Sequence, residues 1–264
     1  MSITSRFFTV TVKPQIPAVK QHAGDITDAQ VLFDWTGFDI PKGAAKLIGM
    51  TVLYRGKDEV DITPTDFELF FAKSSSASPK SSPSSLGAVA AIVQPPAAGT
   101  QPWFNDLIGK VYVDASLMTN DGDMVFMNVL NQTEGDVGIT NDKALHAFPG
   151  NLVMEGQPES GTNVGYDKVY VAAIAKATHN WESTMTTNGV ASTSNAYINL
   201  TTKDALKCLA PGDLLANEDG VALGEVTEVV SDTLVNRKGT YAISAGGKVV
   251  YNENPIVLKL HFQR

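Results

Sequence analysis

Apolar and polar positions alternate with period two in many short stretches of this chain, and the longest such pattern spans residues 28–55, DAQVLFDWTGFDIPKGAAKLIGMTVLYR. Val31, Phe33 and Trp35 alternate with Leu32, Asp34 and Thr36, which predicts a strand with one buried face. At Thr36-Gly37 the parity flips and Phe38 and Ile40 continue the apolar set, the signature of a β-bulge or bend. Pro41-Lys42-Gly43 supplies turn chemistry, and Ile48, Met50, Val52 and Tyr54 predict a returning strand, so the stretch reads as a hairpin. Phe33 and Trp35 read as core rings that a second sheet must cover.

Further strands are predicted at 7–13, 67–73, 86–93, 111–113, 124–130 and 166–178, with a linker at 14–24 and a tight Asp-Gly turn at 120–123. Residues 74–85 (SSSASPKSSPSS) have little to bury, and 131–165 lack any sustained period, so both read as loops. No helical period is visible before residue 200. The polar run 179–196 reads as a boundary. Beyond it come a strand at 198–200, a capping box at Thr201 and Asp204, and a short helix through Leu206 and Cys208 that Pro211-Gly212 stops. Strands then follow at 213–215, 221–230, 248–251 and 256–262. The expected fold is all-β: a jelly-roll-like β-sandwich over 1–178, a linker at 179–196, and a small β-barrel with one short helix over 197–264.

Composition narrows the function. The formal net charge of the 264 residues is -8, with charged residues at 18% and both signs dispersed. That argues against a nucleic-acid surface, which needs clustered Lys and Arg. No apolar run is long enough to span a bilayer, and the first residues alternate like a strand instead of forming a signal-peptide core. Cys208 is the one cysteine, so an intrachain disulfide and a multi-cysteine metal site are excluded, which fits synthesis in a reducing cytosol.

Candidate chemistry is sparse. Asp58, Glu59 and Asp61, or Asn120, Asp121 and Asp123, could offer oxygens to calcium, but neither group has EF-hand spacing and solvated turns explain both. Asp34 and Asp39 are the carboxylates a glycosidase would use, although edge or solvent-facing charges are the simpler reading. His22, His146, His179 and His261 are isolated, so zinc hydrolysis has no motif, and Cys208 reads as a buried inert thiol. No catalytic residue, cofactor or metal is expected. The candidate interface residues are Trp103 and Phe104, in the Pro-flanked stretch AAGTQPWFND, and Trp181 at the domain junction. Tryptophan is enriched at interface hot spots, and a rigid loop lowers the ordering cost of presenting it.

The stretches VLFDWTGFDIPKGAAKLIGMTVLYRG with FELFFAK, and INLTTKDALKCLAPGDLLANEDGVALGEV, resemble modules of tailed-bacteriophage virion structural proteins, particularly capsid decoration or cement proteins. The resemblance implies a non-enzymatic protein on the capsid exterior. Its partners would be the major capsid protein and further copies of itself, as a homotrimer or another symmetric oligomer, without nucleic acid or membrane. Binding only the assembled shell would stabilise it by mass action, with weak contacts multiplied by symmetry. The alternatives are a tail, baseplate or fibre component, and a carbohydrate-binding β-sandwich.

Overall fold

The two long strands predicted at 28–55 form, but they do not pair with each other. In the computed structural model, which describes residues 6–55, 63–75, 80–94, 102–120, 124–130, 152–158, 165–188, 196–201, 205–239 and 247–264, they lie in opposite sheets. The described strands are β1 (Phe7–Val12), β2 (Val31–Pro41), β3 (Ala44–Arg55), β4 (Phe67–Lys73), β5 (Leu107–Val113), β6 (Thr119–Asn120), β7 (Met124–Leu130), β8 (Leu152–Glu155) and β9 (Tyr166–Ala175). They continue with β10 (Tyr197–Asn199), β11 (Leu214–Asn217), β12 (Ala222–Ser231), β13 (Leu234–Lys238), β14 (Val250–Asn252) and β15 (Ile256–Gln263). Two short helices are described, α1 (Ala18–His22) and α2 (Ala205–Cys208). The fold is all-β, as expected.

One sheet runs β1-β15-β3-β7, with β6 beyond β7 and β8 extending β3, and the facing sheet runs β2-β9-β4-β5. Every pair is antiparallel. Eight strands that pass between two four-stranded layers in this order make a jelly-roll sandwich. The turn at Pro41 to Gly43 therefore carries the chain from one layer to the other, with Gly43 at φ 104°, where a side chain would be strained. A turn signal shows that the chain reverses but not which neighbour it returns to.

The parity breaks lie in different places from those the pattern predicts. β2 pairs with β9 through two register shifts, between Val31 and Phe33 and between Phe33 and Thr36. These extra residues put Leu32 and Phe33 in the inter-sheet core, while Val31 and Trp35 face outward. Trp35 is therefore half-buried on the outer face and is not a central core ring. In β3 the register against β15 shifts at His261-Phe262, so Leu47 and Met50 both point inward and Ile48 is only half-buried.

The largest correction concerns β15. By sequence it closes the second half, yet it pairs with β1 on one side and β3 on the other, at the heart of the sandwich. Ile256, Leu258, Leu260 and Phe262 are fully buried there. The sheet β10-β13-β12-β11-β14 is thus an insertion between β9 and β15, tethered at both ends. Bridges from Thr186 to Val249 and from Thr187 to Leu200 join its two edges, curling it into a small barrel. Met185, Ile198, Leu200, Cys208, Leu215 and Val235 are among its core residues.

The 179–196 stretch is accordingly not a plain linker: His179 and Trp181 are buried, Trp181 in the sandwich core, and Met185 enters the barrel core. The predicted strand at 86–93 is instead a flap joined to β2 by a bridge from Gln30 to Ile92, and the 14–24 linker contains α1. The capping-box residue Asp204, His146 and five of the six calcium-cluster residues lie outside the described residues.

Candidate functional site

The β2-β9-β4-β5 sheet is buried on both faces, which explains why β4 (FELFFAK) is buried at six of its seven positions. Its inner face packs Phe67, Leu69 and Phe71 against the other sheet. Its outer face carries Val31, Phe70, Ala172 and Ile174 beneath the flap residues Leu86, Val93 and Trp103. Asp34 holds this flap, its Oδ1 accepting from the Leu86 amide at 3.0 Å, and Trp35 Nε1 donates to the Ser84 carbonyl at 3.0 Å. Asp39 instead pairs with Lys168 at 2.9 Å. Both suspected carboxylates thus serve structural contacts.

At the far end of the flap a 3-10 turn, Trp103–Asp106, leads into β5. Trp103 is half-buried and lies 6.4 Å from Trp35 and 6.0 Å from Phe70, the latter edge-to-face. Phe104 stands 6.1 Å from Trp103, also edge-to-face, and is 57% exposed. Such ring pairs add to burial energy when their quadrupoles are offset in this way. One ring therefore anchors the turn and the next projects from it. Asp106 behind them is buried, which pushes its carboxyl up against the opposing pull of Lys73 and Lys80. Exposed Ile92 lies on the same flap.

Trp181 has a different fate. It is 2% exposed, with its ring 5.3 Å from His179 and 5.1 Å from Tyr54. It plugs the sandwich next to the insertion, so burial removes it from the candidate surface. His179 Nδ1 lies 2.8 Å from the Tyr54 hydroxyl, and Nε2 lies 3.1 Å from the Asp66 carbonyl. A carbonyl can only accept, so Nε2 carries the proton and Nδ1 accepts from Tyr54; the ring is neutral. Burial depresses His179 to about 4, despite the opposing Asp66 carbonyl and carboxylate. Desolvation likewise pushes the Tyr54 hydroxyl far above its ordinary range.

No local sequence signal marks the polar clasp between the barrel and the sandwich. Asp213 is fully buried, and its carboxylate accepts from both terminal nitrogens of Arg55, from Lys13 Nζ at 3.0 Å, from Asn252 Nδ2 at 3.0 Å and from the Ala210 amide at 2.8 Å. Arg55 Nη2 also donates to the Asn254 carbonyl at 2.9 Å, and Asn254 Nδ2 reaches back to the carbonyls of Lys13 and Pro14. Gln21 of α1 adds bonds to the Asn252 and Ile16 carbonyls, while His22 meets the Tyr251 hydroxyl at 2.8 Å. A fork-shaped guanidinium on a carboxylate fixes relative orientation as well as charge. The clasp is a rigid joint.

The remaining ionisable groups are also structural. Burial raises Glu68, but Lys110 at 2.8 Å and Lys176 at 3.3 Å outweigh it and hold the carboxyl below its usual range. His261 bridges Thr9 and Thr51 on the outer face of the first sheet, at 3.1 Å to each. A concavity of about 420 Å³ lies between Gln15, Glu253, Leu215, Glu225 and Lys238, but Glu253 is engaged there by Gln15 and the Ala18 amide. Among the described residues, no group of three or more His, Cys, Asp or Glu could hold a metal ion. What the site offers is a projecting aromatic on a stiff support. No family model, curated protein or solved structure matches the chain.

Proposed function

We propose that this chain is a non-enzymatic structural protein of a tailed-phage virion that binds the outside of an assembled capsid and stabilises it. The observation that carries the reading is Phe104, a large ring 57% exposed and seated on Trp103, on a sandwich whose inserted barrel is locked by the Asp213 clasp. Pre-organised aromatic anchors bind with little ordering cost, and such a body suits repeated weak contacts on a symmetric lattice. The jelly-roll order supports the reading at the level of architecture, since virion and lectin modules share it, and the resemblance of the 31–56 and 198–226 segments points to the virion.

The test is co-sedimentation of the purified chain with empty mature shells, followed by thermal challenge of the decorated and bare particles. Saturable binding that raises the disruption temperature is the expected result. Phe104→Ala should fold normally, because it removes an exposed ring, and should weaken shell binding by about 2 kcal/mol per contact. Particle density at the tail alone would replace the capsid assignment. Glycan binding that Phe104→Ala abolishes, without shell binding, would make the chain a carbohydrate-binding module.

A further inference from the structure

Strand β1 is an edge of the first sheet: it pairs with β15 and with no other described strand. Arg264 N donates to Arg6 O at 2.9 Å, which makes 6 and 264 a hydrogen-bonded pair. In an antiparallel ladder these pairs alternate, so residues 8, 10 and 12 also face β15, while the amide and carbonyl groups of Phe7, Thr9 and Thr11 point away from the sheet. The side chains of these three residues are exposed, Phe7 at 67%. Phe8, Val10 and Val12 supply the inward face.

Open edges are normally protected by charge, proline, bulges or shortness. The other described edges have such protection. β2 carries Asp34, Asp39 and two register shifts, β5 carries Lys110, β6 is two residues long, β8 is four residues ending in Glu155, and β10 and β14 are three residues each. β1, FFTVTV, is six residues long and regular, with neither charge nor proline. A row of outward amides and carbonyls is a template on which another extended strand can replace water.

We propose that β1 pairs antiparallel with β1 of a second copy about a two-fold axis at Thr9, joining two sandwiches into one continuous sheet. In that register Thr9 faces Thr9 and Phe7 faces Thr11, so all three outward-pointing residues find reciprocal partners. Threonine pairs and an aromatic over a β-branched residue are favourable cross-strand neighbours. Charge fits a second copy as well: Arg6 falls opposite Val12, and Lys13 is turned to Asp213 at 3.0 Å, so no like charges meet along the seam. The pairing stands independently of what Phe104 binds.

Sedimentation equilibrium of the full chain should show a concentration-dependent dimer. Thr9→Lys and Thr9→Glu each set like charges across the axis and should weaken dimerisation about fivefold, while an equimolar mixture of the two restores it. Thr9→Pro removes the outward N–H at a position where an edge tolerates proline, and should yield monomer with an unchanged far-UV spectrum. A wild-type chain that stays monomeric overturns the pairing, and so does a Thr9→Lys chain that dimerises as well as wild type.

Discussion

Asp213→Ala is expected to destabilise the protein by about 3–5 kcal/mol, the cost of leaving a buried guanidinium without its partner. Arg55 is 5% exposed and cannot turn to solvent, and Lys13 and Asn252 lose the same acceptor. The effect should be regional. Asp213 belongs to the insertion while Arg55 and Lys13 belong to the sandwich, so the variant should unfold its barrel before its jelly roll, and wild type should unfold in one transition. Urea titration followed by tryptophan fluorescence reads this directly, because Trp181 sits beside the joint while Trp35 and Trp103 pack in the outer-face cluster of the sandwich. Replacing both partners with apolar residues, Arg55→Met with Asp213→Leu, should recover most of the loss, since neither charge is then stranded. A single variant that loses less than about 1 kcal/mol would show that the clasp is not the joint.

Much of the architecture is legible in the sequence, but only up to the choice of neighbour. Period-two alternation identified β1 through β4, β7, β9 and β15, because one buried face is all it needs. It could not tell that β2 and β3 lie in different sheets, since a turn at Pro41 to Gly43 serves a hairpin and a sandwich corner equally well. Nor could it tell that β15 crosses back to β1. Chain proximity favoured the barrel, while the pairing that forms closes a loop of nearly the whole chain. The short strands β8 and β13 and the one-turn helix α1 fell below any periodic signal.

The site shows the same limit. Proline-flanked aromatics mark Trp103 and Phe104 in the sequence, but only the tertiary packing separates the pinned ring from the projecting one. Trp181 sat in a polar stretch and looked available, yet its neighbours Tyr54 and His179 bury it. Arg55 and Asp213 are 158 residues apart, at strand ends where a charge ordinarily reads as solvated. Their pairing carried no local signal at all.

Acidification through the ordinary histidine range should remove about 3 kcal/mol of stability through His179 alone. Its folded value is about 4 and its unfolded value 6.5. Between these limits the unfolded chain binds a proton that the folded ring refuses, because protonation would strip Nδ1 of its acceptor role toward Tyr54 and place a charge against buried Trp181. Stability is therefore fully present above pH 6.5 and is lost progressively as the pH falls toward 4. Glu68 is also held below its ordinary 4.5, so its contribution is lost only below that value and the decline between pH 6.5 and 4.5 belongs to His179. Thermal unfolding across this range should show the decline in wild type. In His179→Gln, which keeps polar atoms but cannot titrate, the curve should be nearly flat between pH 6.5 and 4.5, though lower at neutral pH through lost ring stacking. An equal decline in both proteins would place the acid sensitivity elsewhere and mean that His179 is not held neutral by the junction.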